Sequence, residues 1–292
     1  MPSGRYWLQT LGCPKNQVDS DKLAGLLEAD GFAPSTSAED ADLVVVNTCA
    51  FIEAARQESI DTVLELADVR RAGARLVVTG CMAERYGDEL GRALPEVDLV
   101  AGFGKHLVPL EPSGRRAGRS RTPPVSAPAS PVALRPRRRT SRPPSFAPSA
   151  TVESFDLLSL PRPASAAPWA YVKVAEGCDR RCGFCAIPSF RGSQRSRTAD
   201  DILDEVRSLA DNERMPVKEV VLVAQDLASY GRDRTAARPA GDPGAARDVV
   251  RQMGRPTPLV SLVRSVSALV ARTRLLYLYP SGLTEELVDA VL

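Results

Sequence analysis

Six cysteines carry most of the chemistry this sequence can offer, and they fall into two groups of three: Cys13, Cys49 and Cys81, then Cys178, Cys182 and Cys185. The second group has the spacing C-x3-C-x2-C. Zinc ribbons normally pair two C-x2-C knuckles, and no histidine lies near enough to complete a tetrahedron. Three thiolates on one loop instead fit three irons of a 4Fe-4S cube, whose fourth iron is left open for a substrate. The first group is spread along the chain, each member a few residues beyond a strand-like run: Cys13 after Tyr6 to Thr10, Cys49 after Leu43 to Asn47, Cys81 after Arg75 to Thr79. A free cysteine is often just a small buried hydrophobe, but three at the same topological position point to a second three-thiolate site. The only histidine, His106, gives little support to a multi-imidazole zinc site or a Ser-His-Asp triad.

The elements that must position these thiols follow from the hydrophobic pattern. Asp19 and Ser20 open an amphipathic helix with Leu23, Leu26 and Leu27 on one face, stopped at Asp30 and Gly31. A second helix runs from Ile52 to Ala67 and is followed by Gly73. Strands alternating with helices predict βαβ units and a parallel sheet, and the loops beyond the carboxyl ends of parallel strands share one edge, where ligands bind. The three thiols of the first group then converge. In the second half, strands are expected at 169–175, 218–224 and 274–279, with a helix from Leu259 to Ala271 and another from Thr284. Met82 and Met215 read as core filler.

The chain has 292 residues, 43% hydrophobic and 25% charged, a soluble globular composition with no apolar run long enough to span a membrane. The N-terminus lacks the basic start and apolar stretch of a secretory signal, so the expected compartment is the cytoplasm, where disulfides are rare. Net charge is +2, from 38 Lys and Arg against 36 Asp and Glu. Residues 111–165 are the exception, with ten Arg, no Lys, three acids and eleven of the 24 prolines. That composition predicts a disordered basic linker, 111–166, between a domain at 1–110 and another at 167–292. Its Arg-rich tract can attract phosphate backbones, although a solvated spacer is the commoner role.

With Phe184 just before its last cysteine, the C-x3-C-x2-C loop resembles the radical S-adenosylmethionine superfamily. The run from Gly177 through Ile187, Pro188, Arg191 and Gly192 to Ser196 and Arg197 is similar to the methylthiotransferases, as are Leu222 to Asp226 and Tyr230-Gly231. Cys13-Pro14-Lys15-Asn16 with Val18, Asp19 and Ser20, and Cys49 with Glu53, Gln57, Glu58, Ser59 and Ile60, resemble the RimO type. The MiaB type, which modifies a transfer-RNA adenosine, typically reads G-C-Q-M-N at its first cysteine. The resemblance implies an α/β fold: an N-terminal parallel-sheet methylthiotransferase domain and a partial radical SAM (β/α) half-barrel, joined by the linker.

It also implies a function. Two 4Fe-4S clusters would divide the work, one on Cys178, Cys182 and Cys185 cleaving S-adenosyl-L-methionine to a radical, the other on Cys13, Cys49 and Cys81 presenting the sulfur. The net reaction replaces C–H by C–SCH3 on the β-carbon of an aspartate in ribosomal protein S12, with an electron donor such as flavodoxin or ferredoxin and no membrane. A tRNA substrate, or an inactive iron–sulfur-binding fragment, is the alternative. Gln225, Asp226 and Arg197 are the candidate cofactor-binding residues. Gln225 and Asp226 close a strand whose carboxyl end is where barrel sites sit. Arg191 and Arg197 would either neutralise a carboxylate or a cluster or serve structural ion pairs, and the inward face of the strand with Tyr277 and Tyr279 would line the pocket unless these residues take the commoner role of packing. Fewer strands than a full half-barrel are counted before Leu292, and no C-terminal TRAM domain follows, so low stability or activity is expected of the chain alone.

Overall fold

The computed structural model describes residues 4–108, 155–235 and 256–292. The Arg-rich tract and most of the expected linker lie outside the described residues.

The first unit is a parallel sheet of five strands, β1 (Gly4–Thr10), β2 (Phe32–Pro34), β3 (Leu43–Thr48), β4 (Arg75–Gly80) and β5 (Leu99–Val100), in the order β2-β1-β3-β4-β5. All four pairings are parallel, and β3 and β4 align from Leu43 opposite Arg75 to Thr48 opposite Gly80. β3 is buried along its whole length, as expected for a central parallel strand covered on both faces. Helices α1 (Pro14–Ala29), α2 (Glu53–Val69), α3 (Cys81–Tyr86) and α4 (Asp88–Ala93) make the crossovers. Short β2 and β5, at the two edges, had no separate signal in the sequence.

α1 begins five residues earlier than the periodicity predicts. Cys13 takes the N-cap position and Pro14 the first turn, where the missing proline N–H costs nothing. Nor is α1 amphipathic in the ordinary sense. Leu23 and Leu27 pack on the first sheet, while Val18 is buried with Val221 and Val223 of the second unit. The helix lies between two sheets, which is why Lys15, Asn16, Asp19, Ser20 and Lys22 on its polar side are buried too.

The second unit contains β6 (Trp169–Lys173), β7 (Ala175–Glu176), β8 (Arg195–Ser196), β9 (Glu219–Val223) and β10 (Arg272–Leu275). β10, β9 and β6 form a three-stranded parallel sheet in that order. The run predicted as one strand over 169–175 is broken after Lys173, and β7 pairs antiparallel with β8 instead. Helices α5 (Ile187–Arg191), α6 (Ala199–Ala210), α7 (Arg232–Thr235), α8 (Pro258–Ser267) and α9 (Glu285–Val291) complete it. Thr198 and Thr257 cap α6 and α8 by accepting from the amides of Asp201 and Val260, the usual N-cap service. Ile202, Val206, Leu209, Leu222, Leu259, Leu262 and Val263 form its core.

Three further expectations are corrected. Residues 155–166, assigned by composition to the linker, pack on both units: Leu157 and Leu158 are buried, and Arg162 pairs with Asp21 of α1 and donates to Tyr171 O of β6 at 2.6 Å. Those leucines supply the apolar area that the rest of the segment lacks. Tyr277 and Tyr279 do not alternate on a strand, because β10 ends at Leu275 and Tyr277 has a left-handed φ of 66°. Met215 is 38% exposed, unlike fully buried Met82, so it fills no core.

Candidate functional site

The first cysteine trio is built by the carboxyl ends of adjacent strands β1, β3 and β4. Cys13 caps α1, Cys49 follows β3, and Cys81 opens α3 directly after β4. Two glycines allow this approach. Gly12 has φ 92°, and a Cβ there would lie 2.9 Å from the Cys49 sulfur; Gly80 has φ 89°, and a Cβ there would lie 2.2 Å from Asn47 Oδ1. Only glycine adopts such backbone without strain. Asn16 binds the three loops together, donating to Leu11 O at 2.9 Å and Thr48 O at 3.0 Å, while its Oδ1 lies 3.5 Å from the Cys81 sulfur. Asn47 donates to Asn16 O at 2.9 Å in return. Burial pushes the Cys81 thiol up to about 11 against the pull of Arg191, and burial also raises Cys49.

The second trio lies on the loop after β7. Cys178 is buried, whereas Cys182 and Cys185 are partly exposed. The Cys178 amide donates to Gly192 O at 3.0 Å, and the Cys185 amide to Cys182 O at 3.1 Å. Phe184 stands 87% exposed. Within the loop, Arg180 donates to Asp226 Oδ2 at 2.6 Å and stacks on Tyr279, 4.0 Å from the ring centroid.

Between the trios is a buried ionic network that the sequence did not signal as such. Lys173 donates to Asp19 and, at 2.7 Å, to Glu176. Arg191 donates to Glu176 at 2.8 Å, to Asn16 Oδ1 at 2.7 Å, to Asp19 at 3.1 Å and to the Cys81 sulfur at 3.1 Å. Burial alone would raise the Glu176 carboxyl, but Arg191 and Lys173 hold it well below the usual carboxylate range. Asp19, Lys173 and Glu176 look like ordinary surface charges in the sequence; only the second unit's closure over α1 makes them a site.

The candidate cofactor residues divide. Gln225 donates to Glu176 Oε1 at 2.9 Å, and Asp226 accepts from Arg180 and Ser229. Both keep a buried oxygen, Gln225 Oε1 and Asp226 Oδ1, with no partner. Arg197 is not brought to this place: it donates to Glu205 at 2.6 Å and to the carbonyls of Lys173 and Asp201. Arg191, by contrast, touches a cysteine directly. His106 sits edge-on to Phe155, 5.4 Å between centroids. Among the described residues no three His, Cys, Asp or Glu side chains close around a single ion; a cube of four irons, which spreads its thiolates apart, asks for a wider set. Two separated thiol trios, with unpartnered acceptors beside the second, are a donor set of the kind such clusters and an amine-bearing cofactor take.

Residues 5–102 match the uncharacterized protein family UPF0004, and residues 172–289 match the radical SAM superfamily. A ribosomal protein uS12 methylthiotransferase RimO of Kineococcus radiotolerans is 40% identical over 312 residues, covering 97% of this chain and 56% of that protein. Over nearly its whole length the chain is similar to RimO-type methylthiotransferases. RimO proteins of Streptomyces coelicolor (40% identity, 100% of this chain, 58% of that protein) and Syntrophus aciditrophicus (39%, 97% and 54%) agree. The chain thus spans about half the length of the curated relatives it matches. A solved cobalamin-dependent S-adenosylmethionine radical enzyme, OxsB, aligns with 93% of the chain and 43% of its own at 10% identity, but with a TM-score of 0.40 it adds nothing to the family assignment. The family boundary at 102 and 172 brackets the segment between the two cysteine trios.

Proposed function

We propose that this chain carries the two cluster-binding units of a radical SAM methylthiotransferase, which replaces C–H by C–SCH3 on the β-carbon of an aspartate in ribosomal protein S12. One observation carries the reading. The adjacent residues Arg191 and Gly192 contact both cysteine trios, Arg191 at the Cys81 sulfur and Gly192 at the Cys178 amide. A reaction that must create a substrate radical and then deliver sulfur to it needs its two centres held at a fixed relation, because a free radical left unmet reacts elsewhere.

In this reading Cys178, Cys182 and Cys185 hold one 4Fe-4S cluster and Cys13, Cys49 and Cys81 the other. The clusters supply, respectively, one-electron cleavage of S-adenosyl-L-methionine and a sulfur to transfer. The protein's own residues orient and insulate. Gln225 Oε1 and Asp226 Oδ1 are free to accept hydrogen bonds from the cofactor's amine or ribose. Glu176, fixed as a carboxylate by Arg191 and Lys173, holds Gln225 in place. Arg191 brings positive charge to the Cys81 sulfur, favouring its ionised, ligating form. An electron donor such as flavodoxin or ferredoxin is required.

Anaerobic reconstitution with iron and sulfide, then addition of dithionite, S-adenosyl-L-methionine and S12, tests the reading. The expected result is 5′-deoxyadenosine and an S12 mass increase equal to SCH3 replacing H. C81A should still yield 5′-deoxyadenosine and no modified S12, and C178A should yield neither. Absence of 5′-deoxyadenosine from the wild-type chain carrying its full complement of iron sinks the proposal, and a modified tRNA with S12 unchanged reassigns the substrate.

A further inference from the structure

Lys15 stands apart from the other buried cations where the two units meet. Lys22 pairs with Glu205, Lys173 with Asp19 and Glu176, Arg191 with Asp19 and Glu176, and Arg197 with Glu205. Lys15 is only 7% exposed, yet among the described residues no carboxylate or carbonyl receives its ammonium. Besides the electrostatic pull of the Cys13 and Cys81 sulfurs, its ammonium meets the face of Tyr277, with Nζ 3.4 Å from the ring centroid. A ring face offsets part of the cost of burying an ammonium, but it is a poorer partner than a carboxylate. Tyr277 is itself unusual as the only described non-glycine residue with positive φ, 66°. Backbone strain of that kind persists only where the surroundings enforce it, and it gathers at binding sites. Here the Leu227 amide, donating to Tyr277 O at 3.2 Å, helps to hold it.

Lys15 is two residues from Cys13 at the start of α1, and Tyr277 belongs to the second unit. The unpaired cation is therefore fixed beside the first cysteine trio, on the side that the second unit covers. We propose that Lys15 is the carboxylate anchor of the substrate site, its ammonium receiving the side chain of the aspartyl residue that is modified. The inference rests on the S12 reading above. In aspartate the β-carbon is bonded directly to the carboxylate carbon, so a cation that takes the carboxylate also fixes the carbon that reacts. The same ammonium offsets the repulsion between an incoming anion and cysteine thiolates. Tyr277 holds the ammonium in position until the carboxylate arrives.

The test uses the full chain and two probes, N-acetyl-aspartate amide with its asparagine counterpart, and S12 with its target aspartate intact or replaced by asparagine. Binding is measured by calorimetry for wild type, K15Q, K15R and Y277L, alongside iron content and melting temperature. The wild type is expected to prefer each aspartate form by about tenfold or more, the scale of a hydrogen bond between charged groups. K15Q should abolish the preference, K15R should keep part of it, and Y277L should weaken the aspartate form alone. A folded K15Q that retains the wild-type preference overturns the proposal, as does a wild type with no preference. If K15Q does not fold, an unchanged aspartate affinity in Y277L overturns it. Loss of the small-probe preference in K15Q, with S12 never modified by wild type, leaves Lys15 a carboxylate site and removes the S12 reading. S12 modified by wild type and K15Q alike, with equal preference, removes Lys15 and leaves the S12 reading.

Discussion

Arg191 donates a hydrogen bond to the sulfur of Cys81 at 3.1 Å, across 110 residues of sequence and from one folded unit to the other. The guanidinium is almost wholly buried and is also shared by Glu176, Asp19 and Asn16. Its planar fork reaches several acceptors at once, which a lysine ammonium on a single stem does not match. Arg191 thus acts as the joint between the loop of the second cysteine trio and the wall of the first.

Replacing this joint should be costly. Arg191→Gln leaves Glu176 and Asp19 buried with only Lys173 between them, and breaking a buried pair in this way costs about 3–5 kcal/mol. The melting temperature of the iron-free chain should fall by roughly 10 °C, with R191K recovering only part of the loss. Scanning calorimetry gives the answer, and an R191Q melting like wild type would deny Arg191 this role.

Gly12 and Gly80 should separate the two trios experimentally. At both, an alanine meets positive φ and a close neighbour, the Cys49 sulfur or Asn47 Oδ1. On the two-cluster proposal, G12A is expected to drop reconstituted iron from about eight to about four per chain, since only the site proposed for the first trio is disturbed. G183A, on the second loop, has open space around its Cβ and should leave iron content unchanged. Iron and sulfide analysis measures both.

Glu205 sets an acid limit on stability. Burial would raise its carboxyl, but Lys22, Arg197 and Arg162 hold it below the ordinary carboxylate value. Lys22 itself is pushed down by burial despite this pairing, whereas three cations face Glu205. With a lower pKa folded than unfolded, Glu205 contributes its full stability above the unfolded value of about 4.3 and loses it as pH falls through the folded value. Urea unfolding should show E205Q about 3 kcal/mol less stable at pH 7, the gap closing toward pH 3. A gap that does not change with pH would mean Glu205 contributes through packing and not charge.

Val18 holds α1 to the second sheet through Val221 and Val223. Val18→Asp puts a carboxylate in an apolar contact between the units. Each unit has a core of its own, although Phe190 of α5 also packs into that of the first unit, so thermal unfolding should broaden or split into two transitions and cleavage by protease between the units should quicken. A single unshifted transition would show that the ionic network and the packing of Phe190 hold them without Val18.

The parallel sheet of the first unit was legible because βαβ alternation is a local pattern: β1, β3 and β4 and the placement of each cysteine beyond its strand follow from runs of Val and Leu and from Gly12, Gly73 and Gly80. α1 was legible as a helix and not as an interface. Its leucine face gives the period, but nothing in Lys15, Asn16, Asp19 or Lys22 distinguishes a solvated polar face from one covered by a second unit. The position of Arg197 after the cysteine loop suggests a cofactor role; burial against Glu205 turns it elsewhere. Period-2 alternation continues through Tyr277, Leu278 and Tyr279 and so reads as strand, while β10 ends at Leu275 and the Tyr277 carbonyl accepts from the Leu227 amide.

By itself, then, the sequence determined which atoms could bind iron and how many thiols stood in each group, because ligand type and spacing are properties of the covalent chain. The tertiary structure decided which charges belong to the site. Burial turns ordinary Asp, Glu, Lys and Arg residues into a fixed network, and burial is a property of two surfaces meeting: Asp19 and Lys173 are 154 residues apart and acquire their meaning only in contact.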